Sequence, residues 1–127
     1  MTVQIIETDK APAAIGPYSQ GISAGPYRFI SGQLGMDPKT GELVSDALAP
    51  QARQALKNLQ QVVEAGGGGL QQVVAVDVFL TDMAAFAEFN AVYQEFFSEH
   101  RPARAAVEVS GLPKGACVEV KCIVYNG

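Results

Sequence analysis

The sequence predicts a single α/β domain, an α+β sandwich with two helices packed on one face of a mixed sheet. Three observations carry that prediction. The stretch 46–65 repeats apolar residues at three- and four-residue intervals, a second stretch from 81 to 101 does so with aromatic residues, and the segments around them are short, β-branched and bounded by turn residues. The element order is therefore ββαβαββ, the pattern of helices laid on a sheet. At 127 residues the chain can bury one core without disulfides or a metal, and no repeat or compositional shift divides it, so the domain is expected to span 1–127.

Each element has its own signal. Val3 to Ile6 is a short apolar run, and Tyr27 to Ser31, after the Gly25-Pro26 turn signal, is aromatic and β-branched enough for a strand. Asp37-Pro38-Lys39-Thr40-Gly41 reads as a turn. The first helix is expected from about Asp46, with Ala52, Ala55, Leu56, Leu59, Val62 and Val63 on one face and Pro50 tolerable in its first turn. Gly66 to Gly69 ends it, because glycine accepts the left-handed conformation that closes many helices. Val73 to Leu80 is nearly all apolar, which predicts a strand covered on both faces.

Thr81 or Asp82 caps the second helix, in which Phe86, Phe89, Tyr93, Phe96 and Phe97 recur at helical spacing until Pro102 forbids continuation. Ala105 to Val109 and Cys117 to Tyr125 are strand-like, and the turn-rich Ser110 to Gly115 between them predicts a closing hairpin.

Composition narrows the function classes. Nine Lys and Arg against thirteen Asp and Glu give a net charge of -4 and a pI near 4.8, with the basic residues scattered singly. That disfavours nucleic acid as a partner, since its affinity rests on clustered cations. The first residues hold no basic segment followed by an apolar run, and no stretch approaches the roughly 20 apolar residues of a bilayer span. A soluble, cytoplasmic protein is expected. Cys117 and Cys122 sit five apart in one apparent strand, on opposite faces and about 16 Å apart, too far to pair within the chain. The alternative is a thiol pair between chains; two reduced core cysteines are the preferred reading and suit a reducing compartment.

Several familiar chemistries lack their residues. The single histidine, His100, and the diverging cysteines give no zinc spacing, so no metal is expected. The glycine run follows a helix and lacks the Lys-Ser or Lys-Thr of a phosphate loop. Ser31 and Ser110 lie outside Gly-x-Ser-x-Gly, and one histidine gives little basis for a catalytic triad.

Arg104 is more informative. It opens an apolar strand, where a guanidinium can hold a carboxylate bidentately; the alternative is a surface arginine in an ion pair. Glu119 alternates with Val118 and Val120, which places it with Lys121 on the opposite face of the last strand, a solvated face in the plain reading. A hairpin would bring Glu119 within a few residues of Arg104. Asn90 interrupts the edge of the aromatic helix face, as a site residue or a loop partner. Tyr18, in a proline-fixed turn, either walls a pocket or simply packs.

Six segments taken together form a recognisable series. Ala11-Pro12-Ala13-Ala14-Ile15-Gly16-Pro17-Tyr18-Ser19-Gln20, Ser31-Gly32-Gln33, Asp37 to Glu42, Gln51 to Asn58, Pro102-Ala103-Arg104 and Leu112-Pro113-Lys114-Gly115 resemble the Rid (YjgF/YER057c/UK114) family, in its archetypal reactive-intermediate deaminase branch. The resemblance runs from about Ala11 to Tyr125. It implies a chorismate-mutase-like fold, a homotrimer with clefts between adjacent chains, and hydrolysis of 2-imino acids such as 2-iminobutanoate and 2-iminopropanoate to 2-oxo acids and ammonia, without a cofactor.

By the same resemblance Arg104 binds the substrate carboxylate and Glu119 positions or activates the attacking water, while Tyr18, Ser31, Gly32 and Asn90 line the cleft. Ala106 stands where many bacterial members carry a cysteine, which excludes a mechanism through that thiol, and Arg101 replaces an aromatic residue common before Pro102. The alternative function is a non-catalytic trimer that binds 2-oxo or amino acids and regulates a partner. A third, ribonuclease, is disfavoured by the acidic charge and the absence of a basic patch.

Overall fold

Alternation along the chain decides which face of the sheet the helices cover. The computed structural model describes residues 3–127, with strands β1 (Gln4–Ile6), β2 (Gly21–Ala24), β3 (Tyr27–Leu34), β4 (Val73–Leu80), β5 (Ala103–Glu108) and β6 (Val118–Tyr125) and helices α1 (Leu48–Ala65) and α2 (Phe86–Phe96). The six strands form one sheet in the order β1-β2-β3-β6-β4-β5. All neighbours are antiparallel except the parallel β4–β5 pair, so the sheet is mixed as predicted.

On one face Ile30, Val76, Val78, Leu80, Val118, Val120, Cys122 and Val124 meet Ala52, Ala55, Leu56, Leu59, Val62 and Val63 of α1 and Phe89 and Val92 of α2. The largest of these side chains are completely buried, each worth roughly 1.5–3 kcal/mol relative to exposure. Helix α1 closes as expected on the glycine run: Gly67 takes φ +91°, and the Gly68 amide bonds back to the Val63 carbonyl. Asp82 caps a single 3₁₀ turn, Met83–Ala85, that leads into α2, and α2 stops six residues short of Pro102. His100 is spent on structure, its Nε2 lying 2.6 Å from the Val73 carbonyl.

Three expectations need correction. Strand β2, only four residues with one large apolar side chain, was not legible; it pairs with β3 across the Gly25-Pro26 turn, where Gly25 takes φ +59°. The closing hairpin is absent: β6 inserts between β3 and β4, while β5 lies on the far side of β4 and runs parallel to it. The alternately buried pattern of β6 belongs to a central strand, and β5 is exposed along nearly its whole length, as an edge strand is. Nor is β4 covered on both faces. Val74, Ala75, Asp77 and Phe79 remain partly or fully exposed on the face away from the helices.

That second face carries Ile5, Tyr27, Phe29, Val107 and Tyr125, each more than two-fifths exposed. Both cysteines are free, Cys122 buried and Cys117 half-buried just ahead of β6. Among the described residues no helix is long and apolar enough to cross a membrane, and no cluster of His, Cys, Asp and Glu could hold a metal.

Candidate active site

Two half-sites form, on opposite faces of the sheet. The first is built around Arg104. Its position in β5 pairs with Val76 of β4, and Val76 faces the helices, so the arginine is directed toward α2. There its guanidinium carbon lies 4.7 Å from the Tyr93 ring centroid and 5.5 Å from that of Phe86, and its Nη1 donates to Asn90 Oδ1 at 2.9 Å. The rings and the amide fix the plane of the guanidinium and occupy one of its nitrogens, leaving the other donors for a planar acceptor. Asn90, Tyr93, Phe97, Arg101, Pro102 and Arg104 line a hollow of about 350 Å³. Burial pushes the Tyr93 hydroxyl up to about 12, so the phenol stays neutral beside the cation.

The second half-site is built around Glu119, on the face away from the helices. A β-bulge makes room for it: Ile30 pairs with Cys122 and Gln33 with Val120, so three steps on β3 answer two on β6 and the extra residue falls at Ser31–Gly32. A Cβ on Gly32 would lie 1.9 Å from a Glu119 carboxylate oxygen. The carboxylate occupies the space that any side chain there would fill. Half-burial raises the Glu119 pKa from its ordinary value, and Lys121 only partly offsets this. Glu119 lines a cavity of about 510 Å³ with Tyr18, Ser31, Gly32, Met36 and Lys114. Ser31 spends both its groups on the adjoining loop: its hydroxyl donates to the Ser19 carbonyl and its amide to the Gln20 carbonyl.

Glu119, Tyr18, Ser31 and Gly32 thus converge, and Arg104 and Asn90 converge, but the two groups do not meet within one chain. Glu119 lies in register with Phe79, which pairs with Val107 of β5. Arg104 is three residues along and two strands across, about 14 Å from Glu119 between backbones, and on the other face. The expected proximity through a hairpin fails because β4 lies between them.

Sequence reasoning also missed polar residues that hold the surrounding loops. Buried Gln51 donates to the Ser45 carbonyl and accepts from the Cys117 amide, and buried Asn58 donates to the carbonyls of Leu34 and Met36. Lys114, at φ +60°, donates from Nζ to the Gly41 carbonyl and ties the 113–115 turn to the 37–42 turn at the cavity rim. The helical positions of Gln51 and Asn58, beside core leucines, were the available signal.

Comparison with known proteins decides the family. The family model described as endoribonuclease L-PSP matches residues 8–126. The chain belongs to the Rid (YjgF) family. A RutC family protein of Pyrococcus horikoshii is 50% identical over 123 residues, covering 97% of this chain and 98% of that protein. The human Rid protein named 2-iminobutanoate/2-iminopropanoate deaminase is 44% identical over 124 residues, covering 98% and 90%. Among solved Rid structures, Escherichia coli TdcF with bound serine has a TM-score of 0.93 at 41% identity, covering 98% of this chain and 99% of that one.

Proposed function

We propose that this chain is a 2-iminobutanoate/2-iminopropanoate deaminase working in clefts between copies of itself in a homotrimer. The observation that carries the reading is the division of the site. Arg104 with Asn90 offers a carboxylate clamp without a base, and Glu119 with Tyr18 and Gly32 offers a base without a clamp. A neighbouring copy seated on the exposed apolar sheet face supplies the missing half, and that face has the aromatic and aliphatic residues an interface core needs. The names of the human and bovine relatives support the reaction class.

In this reading the forked guanidinium of Arg104 binds the imino acid carboxylate and turns C2 toward Glu119 of the adjacent copy. A protonated imine is already electrophilic, so orientation, a water and proton transfer suffice. Glu119 takes a proton as the water oxygen bonds to C2, and the C=N electron pair moves to nitrogen. The resulting carbinolamine receives that proton on nitrogen, ammonia departs with the C–N electrons, and loss of the hydroxyl proton leaves the 2-oxo acid. The raised pKa of Glu119 brings its proton affinity closer to neutral pH, where such a shuttle works best. The substrates are the enamine and imine products of pyridoxal-phosphate enzymes that dehydrate threonine or serine.

The test couples purified protein to a threonine dehydratase and traps residual imine with semicarbazide. Trapping should fall on adding the protein, and Arg104→Ala should abolish that effect; unchanged trapping with wild-type protein removes the proposal. A second reading, a non-catalytic binder of 2-oxo or amino acids, is favoured by the serine bound to TdcF. Calorimetric binding of 2-oxobutanoate by a protein without turnover would select it. Ribonuclease activity finds no support in the charge: the chain is at -4 and its one histidine bonds to backbone.

A further inference from the structure

The wall of the Glu119 cavity is held by one buried glutamine. Gln20 is 3% exposed, and its amide is spent on the main chain before it. Oε1 accepts from the Thr8 amide at 2.7 Å, and Nε2 donates to the carbonyls of Thr8 at 3.0 Å and Pro12 at 2.8 Å, with Ala11 sharing a hydrogen at 3.3 Å. Strand β1 ends at Ile6, so this one side chain takes the place of a ladder for residues 8–12. On its other side, Ser31 fixes Ser19 and Gln20 through the two bonds described above.

Between these anchors residues 13–18 stand on the surface. Gly16 takes φ +125°, a conformation that disfavours any other residue, and the Tyr18 amide bonds to the Gly16 carbonyl at 2.9 Å, turning the tyrosine over the cavity. Ala13, Ile15 and Tyr18 line the Glu119 cavity, while Ala13, Ala14 and Tyr18 also line a second hollow of about 730 Å³ beside Glu7 and Asp9. The loop is a partition with space on both sides. Within one chain neither space supplies a contact that would stop it from leaning, so there its position is set at its ends.

We propose that Gln20 is a positioning residue for the substrate, acting through Tyr18 by clamping the 8–12 segment so that the 13–18 partition stays against the Glu119 cavity. Both its amide hydrogens are used, and it has none to give a ligand. The proposal rests on the reading that this cavity receives the imino acid.

The test compares wild type, Gln20→Met, Gln20→Glu, Tyr18→Ala and the Gln20→Met/Tyr18→Ala double variant in the coupled deaminase assay, with hydrogen exchange of the amides of residues 13–16 and 18 measured in parallel. Gln20→Met should raise KM about tenfold with kcat nearly unchanged and should speed exchange of those amides, as expected when a binding wall must be ordered anew for each substrate. In the Tyr18→Ala background the same substitution should add little to KM. Gln20→Glu provides the conservative rescue: an ionised carboxylate repels the carbonyls of Thr8 and Pro12, and a protonated one can donate to one of them. Its KM and its exchange, each taken relative to wild type at the same pH, should therefore fall toward the wild-type values as pH is lowered. Unchanged exchange in Gln20→Met, or an equal KM penalty with and without Tyr18, overturns the proposal. Should Gln20→Met fail to fold, a Gln20→Glu variant whose exchange and KM relative to wild type do not change with pH does the same. Absence of turnover in wild type would instead remove the deaminase reading, with the exchange result still deciding the clamp.

Discussion

Gly32→Ala isolates the contribution of Glu119 with little cost to the fold. The added Cβ would lie 1.9 Å from Glu119 Oε2, 2.8 Å from Cδ and 3.2 Å from Cγ, whereas ordinary contact begins at 3.4 Å. The carboxylate must therefore withdraw by 3.4 − 1.9 = 1.5 Å. Every obstructing atom belongs to one side chain and the φ of Gly32 is ordinary, so the chain can accommodate the methyl by turning Glu119 away. A displacement of about 1 Å in a reacting group can cost 10²-fold, so kcat should fall about 100-fold, close to 2.7 kcal/mol of barrier. KM should change little, because Asn90 and the two rings that hold Arg104 are on the other face. The assay is initial-rate formation of 2-oxobutanoate in the coupled system, with thermal melting as the control for folding. A variant that melts like wild type and turns over at the wild-type rate would refute the placement of Glu119 at the reacting carbon.

Gly35→Ala should behave in the opposite way: its Cβ would meet the Gln51 backbone at 2.4–2.8 Å, and helix α1 cannot yield as a side chain does. Urea denaturation should show a loss of roughly 3 kcal/mol, the upper part of the range for overpacking. Asn58→Leu should cost a similar amount, roughly 3 kcal/mol by the same measurement, because it leaves the Leu34 and Met36 carbonyls without their donor. Arg104→Lys keeps the charge but loses the planar fork and the stacking on Tyr93, so KM should rise about tenfold with a smaller change in kcat. Glu119 titrates above its unfolded value, so its ionisation opposes folding: stability should decline as pH rises from the ordinary glutamate value near 4.3 through the folded value. Glu119→Gln should remove that decline in a melting-versus-pH series.

The class of the fold was legible because apolar spacing encodes it directly. The α1 face from Ala52 to Val63 and the alternation of Val118, Val120, Cys122 and Val124 each report one side of one element. Strand order was not legible. Whether β6 lies beside β5 or beyond β4 depends on partners distant in sequence, and the turn-rich 110–115 segment fits a hairpin as well as a crossing. β2 was missed because Gly21-Ile22-Ser23-Ala24 holds its place by backbone pairing more than by side-chain burial. At the site, Arg104 and Asn90 were each picked out singly and the structure joins them, while Tyr93 and Phe86 read as ordinary core aromatics until the guanidinium was placed against them. Gln20 left no signal in spacing, since its partners are main-chain atoms.

The location of Arg104 and Glu119 on opposite faces of one sheet has a genetic consequence. Under the proposed assembly each cleft takes its arginine from one copy and its glutamate from the next, so two inactive alleles can complement. An Arg104→Ala chain still carries a sound glutamate, and a Glu119→Gln chain a sound arginine. If equal amounts assort at random into closed rings, about one cleft in four receives both sound residues, and a mixture of two dead proteins recovers about a quarter of wild-type activity. The same arithmetic makes single loss-of-function alleles partly recessive, because every mixed ring retains at least one intact cleft.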